Sequence, residues 1–427
     1  MIALIRLVYN LAFPVVLVLL LPGFLIRMLR RGKYRHKFWQ RFGIYSPRVL
    51  ERIGGGGRTW VHAVSVGEVM IALKLIQALR EAEPERAFVL STTTSTGFKL
   101  AARAKSPALE PIYNPLDFLL SARRAVRTIR PDVLILVEAE VWPNIVCEAR
   151  ASGARAALVN ARLSQRSERR FRMARWITAP VFNQLNLLCL QEPDDVARWE
   201  SLGVDRSRLE VTGSIKFDEG TPRPPRDFRP ALRALGVGDD APILLGGSTF
   251  EGEEAILGGV FSELRKSHPD LFLILVPRHF ERSAGVTAQL EKLGLRVARR
   301  TQPGGGGRPD VLVVDTTGEL RDWYACATVV FIGKSLTARG GQNPAEPVAA
   351  GVPVVMGPNM QNFATLAGQF LRHEGALEAA DAGSLRLAVD RLLSDAGLRA
   401  RMAANAAACL EVHRGATLRT VAALARI

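Results

Sequence analysis

Several acidic and basic residues of this chain fall where a strand-like run gives way to a helical one, the position from which an α/β protein addresses its ligands. In "WVHAVSVGEVMIALKLIQAL", residues 60–79, Trp60, Val61, Ala63 and Val64 read as buried strand, and Val69, Leu73, Ile76 and Leu79 recur at helical spacing. Glu68, directly after Gly67, therefore sits in the first helical turn. A carboxylate there gains about 0.3–1 kcal/mol from the helix dipole. The same dipole keeps it ionised, the state in which it can take a proton from a hydroxyl. "VEAEVWPN" carries Glu138 and Glu140 at the end of the apolar run "DVLIL". Residues two apart on a strand share a face, so this pair suits either a metal or a basic substrate-binding residue. "VTGSIKFDE" ends another run with Lys216, either solvated or turned toward a ligand.

The second half offers anion-binding chemistry. "GGSTFEGEE" joins a strand to a helix through Gly246, Gly247, Ser248 and Thr249, and "GKSLTARGGQNPAEP" leads from a strand through Ser335 and a Gly-rich turn to a helix near Pro344. Both present hydroxyls and backbone N–H groups where a helix N-terminus favours an anion such as phosphate. "VPRHFER" ends an apolar strand with Arg278 and His279, and Glu346 opens a short helix three residues after Asn343. A carboxylate so placed can accept two ribose hydroxyls or complete a capping box. No GxGxxG and no GxxxxGK[ST] occurs, so a dinucleotide enzyme or a P-loop ATPase lacks its phosphate cradle.

The elements that must position these residues alternate. "TWVHAVS", "AFVLSTTT", "DVLILVEA", "RAALVNARL", "LLCLQ" and "LEVTGSI" are strand-like with helical stretches between them, and a second series, "PILLGGST", "LFLILVPRH", "DVLVVD", "VVFIGKS" and "PVVMG", follows. That alternation predicts two doubly wound parallel sheets with a ligand crevice outside their strand C-termini. The proline- and charge-rich "DEGTPRPPRDFRP" between the series reads as a linker, and both "GGGGR" stretches read as loops. The expected domains are 1–30, 31–217, linker 218–231, and 232–405, with a C-terminal helix over 406–427 packing back on the first domain.

At 427 residues, 48% apolar and 23% charged, the chain suits two globular domains rather than disorder. Its net charge of +16 is uneven, since residues 1–50 hold nine Lys or Arg and no Asp or Glu. Eight of the nine follow Leu7–Ile26, an uncharged apolar run about long enough to cross a bilayer as a helix. This predicts an N-terminal membrane anchor whose basic flank, Arg30, Arg31, Lys33, Arg35 and Lys37, stays cytoplasmic and holds anionic groups. A nucleic-acid-binding protein is disfavoured, because the charge clusters at the apolar segment and no base-reading module is present. Cys147, Cys189, Cys326, Cys409 and six histidines are scattered, without CxxC, HExxH or another metal-ligand spacing.

Ten segments, in order, resemble the 3-deoxy-D-manno-octulosonic acid (Kdo) transferases of lipopolysaccharide synthesis: the apolar anchor, "KYRHKFWQRFG", "HAVSVGEV", "VEAEVWPN", "NARLSQRS", "VTGSIKFD", "GGSTFEGEE", "VPRHFER", "GGQNPAEP" and "GPNMQNF". The resemblance implies two Rossmann-like domains of the GT-B type and cofactor-free, metal-independent transfer of Kdo from CMP-Kdo to a lipid A precursor at the bacterial inner membrane. It implies that Glu68 is the general base and that Glu138 and Lys216 support the transition state. It also places the CMP site at Pro277 with Arg278, at Gly318, Glu319 and Leu320, and from Asn343 through Pro344 and Ala345 to Glu346. Ser248, Thr249 and Ser335 would line a donor phosphate loop. Phe250 and Gln342 depart from the family, which usually has His at both positions. A membrane-bound GT-B transferase using another nucleotide sugar is the alternative.

Overall fold

The computed structural model describes residues 1–15, 37–139, 141–218, 224–303 and 307–427. Two compact units emerge: unit 1 comprises Met1–Gly220 with His413–Ile427, and unit 2 comprises Thr221–Val412. Half of the expected anchor, residues 16–30, together with Arg31, Lys33 and Arg35, lies outside the described residues, as does Glu140. Among the described residues no helix is long and apolar enough to cross a membrane.

Unit 1 is built on β1 (Arg58–His62), β2 (Ala87–Thr92), β3 (Leu109–Tyr113), β4 (Pro131–Val137), β5 (Arg155–Ala161), β6 (Leu187–Leu190) and β7 (Leu209–Val211). These run parallel in the order β3-β2-β1-β4-β5-β6-β7. Strand side chains alternate between faces, so near-continuous apolar runs feed two cores. Trp60, Val89, Leu134 and Leu136 enter one, and Val61, Leu90, Val133, Ile135 and Val137 the other. The order reverses between β1 and β4, and a sheet of this kind opens its ligand crevice at such a reversal.

Unit 2 repeats the plan with β8 (Ile243–Thr249), β9 (Phe272–Pro277), β10 (Val297–Arg299), β11 (Val311–Val313), β12 (Val329–Ile332), β13 (Val354–Met356) and β14 (Ala376–Glu378). The order is β10-β11-β9-β8-β12-β13-β14, again parallel, with the reversal between β8 and β12. Within 218–231, the Phe228 ring stacks on Trp323 at 4.1 Å and the helix Arg229–Ala234 begins.

The chain returns to unit 1 at its end. Ala423 and Leu424 of the helix Ala416–Leu424 join the second core of that unit. Asp218 accepts the N–H groups of Gly415 at 3.0 Å and Thr417 at 2.8 Å, satisfying donors that the helix start leaves without an intrahelical partner.

Candidate active site

In unit 1 the charged residues gather at the C-terminal ends of the central strands. Ser65 caps the helix Val66–Ala82, its Oγ accepting the Glu68 N–H at 3.3 Å, while Glu68 Oε2 accepts the Val64 N–H at 2.8 Å. Glu68 is thus both a cap and a buried carboxylate at the β1–β4 reversal. β4 stops at Val137, and Glu138 turns into the left-handed region at φ 64°. This corrects the expectation that Glu138 and Glu140 share a strand face, because the alternation ends one residue before the first of them. Burial raises the Glu138 carboxyl above its ordinary range, the charge of Glu68 raises it further, and Arg162 and Lys216 oppose both. Burial lowers the Lys216 ammonium, with Glu138 opposing and Arg162 adding to the shift. Glu68, Glu138, Arg162 and Lys216 therefore form one electrostatic cluster, assembled from turns far apart in sequence.

The loop carrying Lys216 is clamped from three sides. Asn160 Oδ1 accepts the Ile215 N–H at 2.9 Å, Lys74 Nζ donates to the Ile215 carbonyl at 3.2 Å, and His413 Nδ1 accepts the Ser214 N–H at 3.1 Å. Four residues beyond Glu138 in sequence, the Trp142 indole donates to His62 Nε2 at 3.2 Å. The proton of the neutral imidazole is therefore on Nδ1, which donates to Ser91 Oγ at 3.0 Å. Burial pushes this imidazole down to about 4. Sequence reasoning passed over Arg162, although it is the first residue beyond β5, in the same sheet and at the same end.

Unit 2 holds a polar cavity of 370 Å³. Ser248, Pro277 and Arg278, Gly318 and Leu320, and Gln342, Asn343 and Glu346 all line it, joined by Thr316 and Tyr324. Asn343 Oδ1 accepts the Ala345 N–H at 3.1 Å, and its amide donates to Glu346 Oε1 at 3.1 Å. A capping box through Glu346 is ruled out, because the helix is capped by Pro344, which has no N–H to offer.

Glu319, Thr249, Ser335, Pro344 and Ala345 do not line the cavity. Glu319 pairs with Thr316 and Arg300, Thr249 donates to Glu254, and the Ser335 hydroxyl bridges the Ile332 carbonyl and the Gly357 N–H. Four backbone donors of the two expected phosphate loops are also committed. Fully buried Glu253 accepts from Phe250 at 2.8 Å, Lys334 at 2.7 Å, and Ser335 and Leu336 at 3.0 Å each. The anion in this cradle is the protein's own carboxylate, which ties the turns after β8 and β12 together; of the three loop hydroxyls only Ser248 reaches the cavity. Phe250 packs under the Lys334 ammonium, 5.3 Å from the ring centre. From the basic flank, Lys37 lies 4.8 Å from the centre of the Phe98 ring, and burial lowers its ammonium.

Two parallel-sheet units, each with a reversal in strand order, resemble those of the GT-B glycosyltransferases. A solved glycosyltransferase of kitacinnamycin shares this fold, with a TM-score of 0.53 at 18% identity over 87% of this chain and 99% of its own. The family model described as 3-deoxy-D-manno-octulosonic-acid transferase (kdotransferase) matches residues 36–219. The 3-deoxy-D-manno-octulosonic acid transferase of Bordetella pertussis is 35% identical over 95% of this chain and 96% of its own length. That of Haemophilus influenzae is 31% identical over 92% and 91%. The chain belongs to the Kdo transferase family and is a glycosyltransferase.

Proposed function

We propose that this enzyme moves Kdo from CMP-Kdo to a lipid A precursor of the lipid IVA type, by direct inverting displacement without a metal, at the cytoplasmic face of the bacterial inner membrane. Glu68 takes the proton of the acceptor hydroxyl as it attacks the anomeric carbon. The observation that carries this reading is the Glu68 carboxylate itself, buried at a helix start beside Glu138 with one oxygen held by Val64. Negative charge is favoured at a helix N-terminus, and a carboxylate there can receive a substrate proton. Glu138 and Lys216 support charge as it redistributes in the transition state.

Departure of CMP converts a phosphodiester to a monoester with more negative charge, which Arg278 stabilises from the cavity edge, while Glu346 accepts the ribose hydroxyls. Pro277, Gly318, Leu320 and Asn343 complete the nucleotide pocket, with Glu319, Pro344 and Ala345 shaping it from behind. The basic flank from Arg30 to Lys37 captures phosphates of the acceptor. The test is incubation with CMP-Kdo and a tetraacylated lipid A precursor, products resolved by mass. Kdo-sized increments on the acceptor with CMP release are expected; turnover with a UDP-sugar and none with CMP-Kdo would overturn the proposal.

A further inference from the structure

The order reversal of unit 2 falls between β8 and β12, and the turns beyond β9, β8 and β12 are tied side by side. The Arg278 N–H donates to the Thr249 carbonyl at 3.0 Å, the Gly333 N–H to the Gly247 carbonyl at 2.9 Å, and the Gln342 N–H to the Gly333 carbonyl at 3.1 Å. A Cβ on Gly333 would stand 2.2 Å from the Ser248 carbonyl oxygen, so the turns after β8 and β12 touch and only glycine fits between them. Ser248 and Gln342, on either side of this contact, both line the cavity.

Lys334 follows Gly333 directly. Its backbone is left-handed at φ 56°, a conformation that lysine adopts at a cost and glycine adopts freely. The side chain is half-buried, with its Cε 3.7 Å from where a Cβ on Gly340 would lie and its ammonium 5.3 Å from the centre of the Phe250 ring. The other neighbour of that ring is His279, at 6.5 Å, the residue after Arg278. Among the described residues the Lys334 ammonium pairs with no carboxylate. Buried Glu253, which meets the Lys334 N–H, gives its oxygens to four backbone donors.

We propose that Lys334 is a specificity-determining residue of the donor site, its ammonium binding the carboxylate of the sugar acid that the nucleotide carries. The inference rests on the donor reading above and deepens it. In CMP-Kdo the carboxylate and the phosphate oxygen are bonded to one carbon, so two cations held close together match the two anions. Arg278 beyond β9 and Lys334 beyond β12 flank the turn after β8, with two strand spacings, about 10 Å, between their backbones, a gap that two such long side chains can close. The Phe250 ring holds the ammonium against its face and leaves the N–H donors for a ligand. A nucleotide sugar without a carboxylate would cover this ammonium and leave it unpaired, which selects against that donor.

The test is steady-state transfer by the full chain from CMP-Kdo to a tetraacylated lipid A precursor, with CMP as competing inhibitor. Lys334→Gly removes the side chain and suits the left-handed backbone, Lys334→Gln keeps most of the stem without the charge, and Lys334→Arg keeps the charge. The KM for CMP-Kdo should rise about 10- to 100-fold in the first two, as expected for a lost charge-assisted hydrogen bond. The inhibition constant of CMP, which has no carboxylate, should stay unchanged and also reports an intact fold. Lys334→Arg should recover most of the donor affinity. Unchanged KM for CMP-Kdo in Lys334→Gly and Lys334→Gln, with the unaltered chain active and inhibited by CMP, would overturn this proposal alone. CMP inhibition weakened as strongly as the donor would make Lys334 a phosphate ligand and overturn it equally. An unaltered chain that neither uses CMP-Kdo nor responds to CMP would overturn the donor reading and this proposal with it.

Discussion

A carboxylate can cap a helix and accept a substrate proton at once when its two oxygens are divided between the tasks, and Glu68 commits Oε2 to the Val64 N–H. Glu68→Gln keeps the shape and an oxygen able to accept that bond, so its stability should change by about 1 kcal/mol or less. Loss of the base should nevertheless lower turnover at saturating substrates by about 100- to 10,000-fold. A folded variant that binds CMP normally yet keeps more than about a tenth of the activity would contradict the assignment. His62 makes a different prediction. Its imidazole stays neutral in the fold down to about 4, while in the unfolded chain it takes a proton below roughly 6.5. Its share of stability is therefore whole above the higher value and is lost as the pH falls between the two, by roughly 3 kcal/mol. His62→Asn retains a donor toward Ser91 but cannot titrate. Denaturant midpoints from pH 7 to 4 should show a less stable variant at neutrality and a shallower acid decline.

The cavity of unit 2 gathers side chains from the ends of several elements, and its two charged residues can be tested together. Arg278→Ala and Glu346→Ala should each weaken CMP binding by about 10- to 100-fold in calorimetry, as expected for a lost charged hydrogen bond. Unchanged affinity in both would place the nucleotide elsewhere. At this scale the sequence is legible where strands are central and apolar, as in β1, β4, β8 and β9. β3, β10 and β14 escape because each is a sheet edge: "LEPIY" contains a proline that only an edge tolerates, and "VAR" and "ALE" are too short to show a period. The turns are legible as polar switch points, yet their wiring is not. That Glu253 takes four backbone donors, or that Glu138 leaves the strand at φ 64°, depends on segments up to 83 residues apart meeting in space. Arg162 stays hidden for the same reason, since nothing local to "NARL" says that Glu138 and Lys216 are its neighbours.

For the molecule as a whole, countercharge for the departing phosphate is assigned to Arg278 and none to a metal. Exhaustive chelation should therefore leave turnover unchanged, and abolition reversed by a divalent ion would make ligands of the acidic residues after β4. The two units differ in how the chain completes them. Unit 2 is one continuous stretch, Thr221–Val412, whereas unit 1 needs its last residues, His413–Ile427. Until those arrive, Asp218 lacks the two N–H groups it accepts, the Ser214 N–H lacks its imidazole, and the core beside β1 lacks Ala423 and Leu424. A chain emerging from the ribosome thus exposes the whole of unit 2 before it can finish the unit it began first, reversing the usual order in which N-terminal domains fold ahead of those behind them. The Lys216 loop gains the last of its three clamps only when His413 arrives, so a chain clipped before that residue holds the loop through Asn160 and Lys74 alone.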